Sequence, residues 1–280
     1  MSTQWSETLS FEGRHTLSPP SPEPPEPRTH TWSQPPLKNL TPGQSMSLAG
    51  ISLRAFALGL TTSLGLVSTV LILTLTSSPL WRIPFFLCAL STFHFLEFWT
   101  TAAANTPEAT VHSFLLTANW PAYPVAHTVA CVECVLTKVV FPGRSWAPLG
   151  LGTALMLTGL VMVVGGQVVR SAAMLTAGQS FNHTVQTRKA DSHTLVTTGV
   201  YGLWRHPSYF GFFYWGLGTQ LVLGNVFCFV GYAYVLWKFF SSRVRVEERG
   251  LVKFFGDDYV QYRRRVGTMI PFVVNEWSWE

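Results

Sequence analysis

The chain has 280 residues, of which 48% are hydrophobic and only 12% are charged. Soluble globular domains carry about 25% charged residues, so a water-soluble surface is excluded for much of this chain. The net charge of +5 does not indicate a nucleic-acid partner, because the basic residues cluster just outside apolar segments, as they do at a membrane surface.

The charges divide the chain into three zones. Residues 1–46 carry seven charged side chains, residues 47–169 also carry seven, and residues 170–280 carry the other 19. A stretch of 123 residues with seven charges cannot present a soluble surface, so the middle zone is expected to lie in lipid. These zones are the predicted domains: an N-terminal arm, a membrane anchor and a charged C-terminal region.

The N-terminal arm, residues 1–46, holds nine of the 18 prolines. The run 19–27 has no aliphatic side chain to bury and too many prolines for a helix, so we expect disorder. The basic start and apolar stretch of a signal peptide are missing. A Pro-rich recognition role is the alternative to a solvated tail.

Four uncharged or nearly uncharged segments follow, each about as long as the roughly 20 residues that cross some 30 Å of hydrocarbon. All are predicted to be membrane helices. They are Ala55–Thr76, Ile83–Ala104, Pro121–Val140 and Ala147–Val169.

A further uncharged stretch, residues 210–237, is longer than one span requires and contains Gly224-Asn225, a strong turn signal. It is predicted to be a helical hairpin that enters and leaves on the same side. The expected fold is therefore all-α, a polytopic membrane protein with about six membrane segments.

Lys and Arg placement predicts the orientation. Four spans and a hairpin bring the N-terminal arm, residues 170–209 and residues 238–280 to one face. That face is rich in basic residues, starting with Arg170, whereas the other face has little beyond Arg82 and Arg144. The rich face should be cytosolic, with both termini and the chemically interesting residues on it.

One polar cluster, Arg205-His206-Pro207-Ser208-Tyr209, stands at the mouth of the hairpin. Proline favours the first turn of a helix, so a helix is expected to begin there. Its free backbone N–H groups would favour an anion such as a cofactor carboxylate. An interfacial anchor of Arg, His and Tyr is the alternative.

A second cluster follows the hairpin. Arg243 and Glu247 are four residues apart and share a face if residues 238–255 are helical. Ordinary interfacial charges are the alternative. Because both arms of a hairpin return to one surface, we expect Arg205–Tyr209 and Arg243–Glu247 to converge on one pocket.

Ionisable residues also lie inside the membrane segments. His94 and Glu97 share a helix face, which leaves three interpretations: an interhelical polar contact, a role near a lipid channel, or a metal site. No further ligand is evident nearby, so no metal is predicted. The roles of Glu133 and Lys138 stay open.

From Phe93 onward, and most plainly from Arg170 to Pro271, the chain resembles the isoprenylcysteine carboxyl methyltransferase family. The shorter Arg-His-Pro motif alone also occurs in phospholipid methyltransferases and NADPH-dependent sterol reductases, which are the alternative functions. The residues that carry the resemblance are 172–174, 176–178, 181–183, Val185-Gln186, 193–197, 199–201, 205–209, 254–256, Tyr259, Tyr262 and Pro271-Phe272, with Phe93-His94 and Glu97 as a weaker match.

The resemblance implies a methyltransferase that uses S-adenosylmethionine, leaves S-adenosylhomocysteine, and methylates the C-terminal carboxylate of a farnesylated or geranylgeranylated cysteine. Its partners would be C-a-a-X proteins such as small GTPases, together with membrane lipid. It implies residence in the endoplasmic reticulum membrane, and it makes residues 170–280 the catalytic region, with a cytosolic cofactor-binding region. The residues matched to cofactor binding are Gln186, His193, Thr194, Leu195, Val196, Tyr201, His206, Pro207, Ser208, Tyr209 and Glu247, and Arg243 matches an arginine that faces the substrate.

This chemistry needs alignment more than proton transfer. A carboxylate nucleophile is already ionised at neutral pH, so no general base is required. The protein must align the reacting atoms and exclude water. A guanidinium can hold a carboxylate with two hydrogen bonds, so we expect Arg243 to position the substrate.

Overall fold

The computed structural model describes residues 37–141, 150–186, 188–189, 193–271 and 273, which fold into helices joined by short loops. The helices are α1 (Leu48–Leu75), α2 (Arg82–Ala104), α3 (Ala122–Val140), α4 (Leu151–Ala177), α5 (Pro207–Leu223), α6 (Phe227–Phe255) and α7 (Asp257–Arg265). Short 3-10 turns connect several of them. The predicted all-α class is confirmed for the described chain.

Four helical segments are long and apolar enough to cross a membrane: Leu48–Leu75, Pro79–Ala104, Ala122–Val140 and Leu151–Ser180. They correspond to the four predicted spans. Large apolar side chains stand exposed on them, as on α1, where Phe56 is 71% exposed, and on α4, where Val161 is 73% exposed. Lipid is the solvent that makes such surfaces stable.

The fourth span was predicted to end at Val169, but α4 continues to Ala177. Ala, Met and Leu dominate these added residues, and all three favour a helix. The helix ends where Gly178 adopts a φ of 54°. Arg170 is therefore a buried helix residue rather than part of a cytosolic loop, which corrects its assignment to the exposed basic face.

The predicted hairpin is present as α5 and α6. Gly224 ends α5 with a φ of 83°, a left-handed conformation that glycine adopts without strain. α6 then runs without interruption past residue 237 to Phe255. The second arm of the hairpin and the predicted helix over residues 238–255 are thus one element, and the total of six membrane segments stays a prediction.

Glu133 of α3 holds the tip of the hairpin. Its carboxylate accepts hydrogen bonds from the backbone N–H groups of Val226, Phe227 and Cys228, at 2.7, 2.9 and 2.7 Å. These groups lie at the start of α6, where a helix lacks internal partners and favours negative charge. The carboxylate that the sequence left without a role is therefore the cap of another helix.

Two glycine pairs bring α4 and α5 into backbone contact. A Cβ at Gly159 would lie 2.8 Å from the carbonyl oxygen of Gly218, and a Cβ at Gly166 would lie 2.6 Å from that of Gly211. Small residues allow this approach between membrane helices. As a result the end of α4 lies beside the start of α5, where the candidate site begins.

Residues 37–46 differ from the predicted disorder. They form a 3-10 helix, Leu37–Leu40, and turns, and the Ser45 carbonyl accepts a hydrogen bond of 2.7 Å from the N–H of Val111. The Ser47 hydroxyl then caps α1. The Pro-rich residues 1–36 lie outside the described chain, so their disorder stays a prediction.

Candidate functional site at the start of α5

The two polar clusters meet where α5 begins. The Tyr209 hydroxyl donates a hydrogen bond of 2.7 Å to Glu247 of α6, and the His206 ring stacks on the Tyr209 ring with centroids 5.5 Å apart. The Nδ1 atom of His206 lies 3.8 Å from the Glu247 carboxylate. The expected convergence of the hairpin's entrance and exit is therefore observed in the geometry.

Glu248 makes the main ionic contact across this junction. Its carboxylate accepts from Arg205 Nε at 2.9 Å and lies 3.2 Å from His206 Nε2. Burial alone would raise the pKa of Glu248, but the hydrogen bond and charge of His206, with the charge and hydrogen bond of Arg205, outweigh burial and lower it. No role was predicted for Glu248, yet it fixes the start of α5 to α6.

Arg205 also binds the segment after α6. Its Nη1 donates to the carbonyls of Arg263 and Val266 at 3.0 and 2.6 Å, and its own N–H donates to Gly267. These carbonyls lie at and beyond the end of α7. Arg205 is 4% exposed, so its function in this structure is to join α5, α6 and α7.

Arg243 is oriented from two sides. Its Nη1 donates a hydrogen bond of 2.8 Å to the His183 carbonyl, and its guanidinium lies 5.0 Å from the centroid of the Phe239 ring. A guanidinium has five N–H groups in a rigid plane, so these two contacts fix the direction of the plane. Arg243 stands one helical turn before Glu247 on α6, as the spacing predicts.

His183 is held neutral at physiological pH. Burial lowers its pKa to about 4, and although the Glu97 charge acts in the opposite direction, the charges of Arg170 and Arg243 reinforce the lowering. Its Nδ1 lies 3.7 Å from Glu97. The sequence placed His183 in the family pattern without a role, and the structure places its backbone against Arg243.

A buried ion pair lies beneath the site. Arg170 of α4 binds Glu97 of α2 through Nε and, at 2.6 Å, through Nη2. Its Nη1 donates to the Ser208 hydroxyl at 2.8 Å and to the Ser208 carbonyl at 3.2 Å. The rings of Phe93 and Phe212 flank the guanidinium at 5.4 and 5.3 Å.

This ion pair decides between the interpretations of Glu97 in favour of an interhelical polar contact. Its neighbour His94 binds the carbonyl of Phe114 at 2.7 Å. Within the described residues, no group of three or more His, Cys, Asp or Glu side chains is arranged to hold a metal ion. The hydroxyl of Ser208, a residue matched to cofactor binding, accepts a hydrogen bond from Arg170.

The remaining sequence-predicted residues lie on the loop between α4 and α5. The side-chain amide of Gln186 donates a hydrogen bond of 3.1 Å to the Thr184 carbonyl. The backbone carbonyl oxygen of Gln186 would lie 3.7 Å from a Cβ at Gly250, on α6. This places the backbone of Gln186 beside Gly250, which is three residues after Glu247 on α6. Thr194 instead bonds to Ser180, through its backbone N–H at 3.1 Å.

Tyr201 is tied to the helices on either side of the loop. Its hydroxyl lies 3.4 Å from the Ala173 carbonyl, and its own carbonyl accepts a hydrogen bond of 2.7 Å from Tyr262. The described contacts of Thr194 and Tyr201 thus run to the end of α4 and to α7. Among the matched residues, His206 and Tyr209 lie directly against Glu247, with Pro207 and Ser208 in the same turn.

Residues 158–253 match the family model described as the isoprenylcysteine carboxyl methyltransferase (ICMT) family. A protein-S-isoprenylcysteine O-methyltransferase from Xenopus laevis is 43% identical over 223 residues, which cover 80% of this chain and 74% of the relative. The chain belongs to the isoprenylcysteine carboxyl methyltransferase family. The Saccharomyces cerevisiae protein of the same name is 47% identical over 67% of this chain and 79% of its own length.

A solved structure of a eukaryotic intramembrane Ras methyltransferase of this family, ICMT, also matches. Its TM-score to this chain is 0.71 at 37% identity, and the match covers 80% of this chain and 77% of the solved one. The resemblance inferred from the sequence is therefore confirmed. Neither a sterol reductase nor a phospholipid methyltransferase is favoured by these matches.

Membership of a methyltransferase family implies a methyl donor and a polytopic membrane enzyme. The family model matches residues 158–253, which include Arg170, His183, Arg205 and Glu248. Two of these, Arg170 and Glu248, form ion pairs at the site that the sequence did not predict. For Arg170, the available signal was a charge directly after a predicted apolar span.

Proposed function

We propose that this chain transfers a methyl group from S-adenosylmethionine to the C-terminal carboxylate of a prenylated cysteine. The observation that carries the proposal is the arrangement on α6, where Arg243 and Glu247 stand one turn apart beside the start of α5. One is a cation suited to a carboxylate, and the other is an anion suited to a positively charged donor.

The residues around Glu247 fit such a donor. The Glu247 side chain is 32% exposed, so its carboxylate is open to a ligand while it accepts the Tyr209 hydrogen bond. S-adenosylmethionine carries a sulfonium, an ammonium and ribose hydroxyls, and a carboxylate flanked by the His206 and Tyr209 rings suits these groups. Gln186, which lies near Gly250, would add amide hydrogen bonds.

Some of the residues matched to cofactor binding are not placed to contact the cofactor directly. Ser208 and Pro207 are buried in the first turn of α5, and Ser208 binds Arg170, so their contribution is to shape that turn. His193, Thr194, Leu195, Val196 and Tyr201 would form the far wall of the cofactor site, supported by Ser180 and Tyr262.

Arg243 would hold the substrate carboxylate. The His183 carbonyl and the Phe239 ring fix the plane of the guanidinium, so a bidentate pair can form without much further ordering of the side chain. The Phe239 ring also gives an apolar surface at the same point. A prenylcysteine combines these two chemistries, since its anionic end is directly attached to a lipid.

The transfer needs no base from the protein. Bound S-adenosylmethionine supplies a methyl group activated by the positive sulfur. A lone pair of the carboxylate oxygen would form the O–CH₃ bond as the C–S bond of the donor breaks. The two electrons of the C–S bond would remain on sulfur, and no proton would move. Arg243 would align the oxygen, Glu247 and Tyr209 would align the donor, and the packed first turn of α5 would exclude water.

The membrane setting agrees with a lipidated substrate. Four apolar helices of the chain carry exposed hydrophobic side chains, so the prenyl group can remain in the bilayer. We propose that the site faces the cytosol from the endoplasmic reticulum membrane, that both termini lie there, and that C-a-a-X proteins such as small GTPases are the substrates. Methylation removes a negative charge that the anionic cytosolic leaflet repels.

Membranes containing the chain should be incubated with S-adenosylmethionine labelled in its methyl group and a farnesylated cysteine derivative. We expect saturable formation of a base-labile ester that releases volatile label. Label that appears only in extracted phospholipid would favour a phospholipid methyltransferase instead. Folded protein that labels neither compound would overturn the proposal.

A further inference from the structure

A polar cavity lies at the opposite end of the helices from the candidate methyl-transfer site. Arg82 at the start of α2 and Lys138 near the end of α3 line it, together with Thr153 at the start of α4. Arg82 is 15 residues before Glu97 on α2, about 22 Å along a helix. The cavity, which we call the far cavity, is therefore separate from the site at α5.

The far cavity has the size and the lining for a charged headgroup. Its volume is about 400 Å³. Two cations, Arg82 and Lys138, and three hydroxyl side chains, Ser77, Thr137 and Thr153, line it, and the described lining includes neither Asp nor Glu. Cations and hydroxyls without carboxylates are the donor set that binds a phosphate group.

Both cations are available to the cavity, although in different ways. Lys138 Nζ donates a hydrogen bond of 2.8 Å to Ser78, and an ammonium has two further N–H donors. Arg82 Nε is buried and has no hydrogen-bond partner within the described chain. A buried donor without an acceptor costs about 1–3 kcal/mol, which an anion at this point would remove.

The walls also determine what carries the anion. Apolar residues such as Phe141 and Leu223 complete the lining, so the cavity is polar at the cations and hydrophobic beside them. Gly150, the N-cap residue of α4, lines the cavity and has no side chain that could cap the helix, so the positive end of a 27-residue helix faces this point. Basic pockets between membrane helices are a known setting for anionic lipid headgroups.

We propose that the far cavity binds a phosphate group, carried by an anionic phospholipid of the leaflet opposite the methyl-transfer site. Arg82 and Lys138 contact the phosphate, the hydroxyls of Thr137 and Thr153 contact its remaining oxygens, and the acyl chains leave along the apolar wall. The bound lipid would join α2, α3 and α4. This inference does not depend on the proposed reaction.

The test uses the purified full-length chain in an uncharged, phosphate-free detergent and follows thermal unfolding by tryptophan fluorescence. The probes are dihexanoyl phosphatidic acid, inorganic phosphate, and dihexanoylglycerol, which lacks the phosphate. Phosphatidic acid at ten times its Kd should raise the midpoint by about 3 °C, and dihexanoylglycerol should not. An equal shift with inorganic phosphate would support the phosphate site but assign it to a soluble anion.

Variants separate this site from general charge effects. Arg82→Gln and Lys138→Gln should each weaken phosphatidic acid binding at least about tenfold, since each removes a charge-assisted hydrogen bond. Lys253→Gln, which removes an exposed cation on α6, should bind like the unaltered chain. If Arg82→Gln does not fold, Lys138→Gln provides the test alone. The proposal would be overturned if neither phosphate probe shifted the midpoint. It would also be overturned if phosphatidic acid shifted both cavity variants as much as it shifts the unaltered chain.

Discussion

Gly166 of α4 and Gly211 of α5 are in backbone contact: a Cβ on Gly166 would lie only 2.6 Å from the carbonyl oxygen of Gly211. The same Cβ would lie 2.7 Å from the backbone nitrogen of Trp215. These neighbours are backbone atoms and cannot move aside like the end of a side chain. The contact sets how near Arg170 comes to Ser208, and so it bears on the site as well as on stability.

Gly166→Ala should therefore force α4 and α5 apart. We expect the free energy of unfolding to fall by about 1–3 kcal/mol, the usual cost of overpacking, with lower methylation activity. Thermal unfolding in detergent provides the measurement. The matched control is Gly165→Ala, where a Cβ would meet nothing within 4 Å. Equal stability of the two variants would contradict the close contact.

The buried pair of Glu97 and Arg170 should show strong coupling. Glu97 is 1% exposed and Arg170 is 7% exposed, so removing either partner leaves an uncompensated charge. Glu97→Gln or Arg170→Gln alone should cost about 3–5 kcal/mol of stability. The double variant should cost clearly less than the sum, because no single charge remains buried. Additive losses in a denaturant titration would show that the two side chains do not interact.

Glu248 should contribute to stability in an acid-dependent way. Its folded-state pKa is lowered from 4.5, so its carboxylate stabilises the fold above pH 4.5, and that stability is lost as the pH falls through and below this value. Glu248→Gln should cost about 3 kcal/mol at neutral pH, since Arg205 loses its charged partner, and should weaken the acid dependence.

The midpoint of thermal unfolding should be measured between pH 3.5 and pH 7 for the unaltered chain and for Glu248→Gln. Asp258→Asn, at an exposed carboxylate of α7, serves as the control and should change little. An acid-induced loss of stability that is the same in Glu248→Gln and in the unaltered chain would contradict the assigned ion pair with Arg205 and His206.

The membrane helices and the hairpin could be predicted because their signals are local. A span is visible as about 20 residues without charge, and the Gly224-Asn225 turn is visible as two adjacent residues. The ends of helices were less certain: Val169 looked like a boundary because Arg170 follows it. A buried partner on another helix, Glu97, allows this charge to remain inside the helix.

The contacts of the site could be predicted only in outline. A hairpin must bring Arg205–Tyr209 near Arg243–Glu247, whatever its detailed packing. Which glutamate meets Arg205 depends on the rotation of α6, because adjacent helical residues point about 100° apart. Glu248 takes that position and Glu247 faces Tyr209. Likewise, the pairing of Glu97 with Arg170, 73 residues apart, depends on helix packing that no local pattern specifies.

Arg243 stands against the His183 carbonyl with its guanidinium on the Phe239 ring. Arg243→Ala should lower kcat/KM for a farnesylated cysteine derivative by about 100-fold, since a charge-assisted pair is worth up to about 3 kcal/mol. Arg243→Lys should also be impaired, because an ammonium cannot form the two-pronged contact. Arg245→Ala, an exposed arginine two residues along α6, should remain near the unaltered rate.

The most direct measurement is the initial rate of methyl transfer from labelled S-adenosylmethionine to the farnesylated cysteine derivative. The unaltered chain, Arg243→Ala and Arg245→Ala should be compared at matched amounts of folded, membrane-inserted protein. We predict full activity for the first and third and a loss of about 100-fold for the second. Equal rates for Arg243→Ala and the unaltered chain would contradict the claim that Arg243 holds the substrate carboxylate.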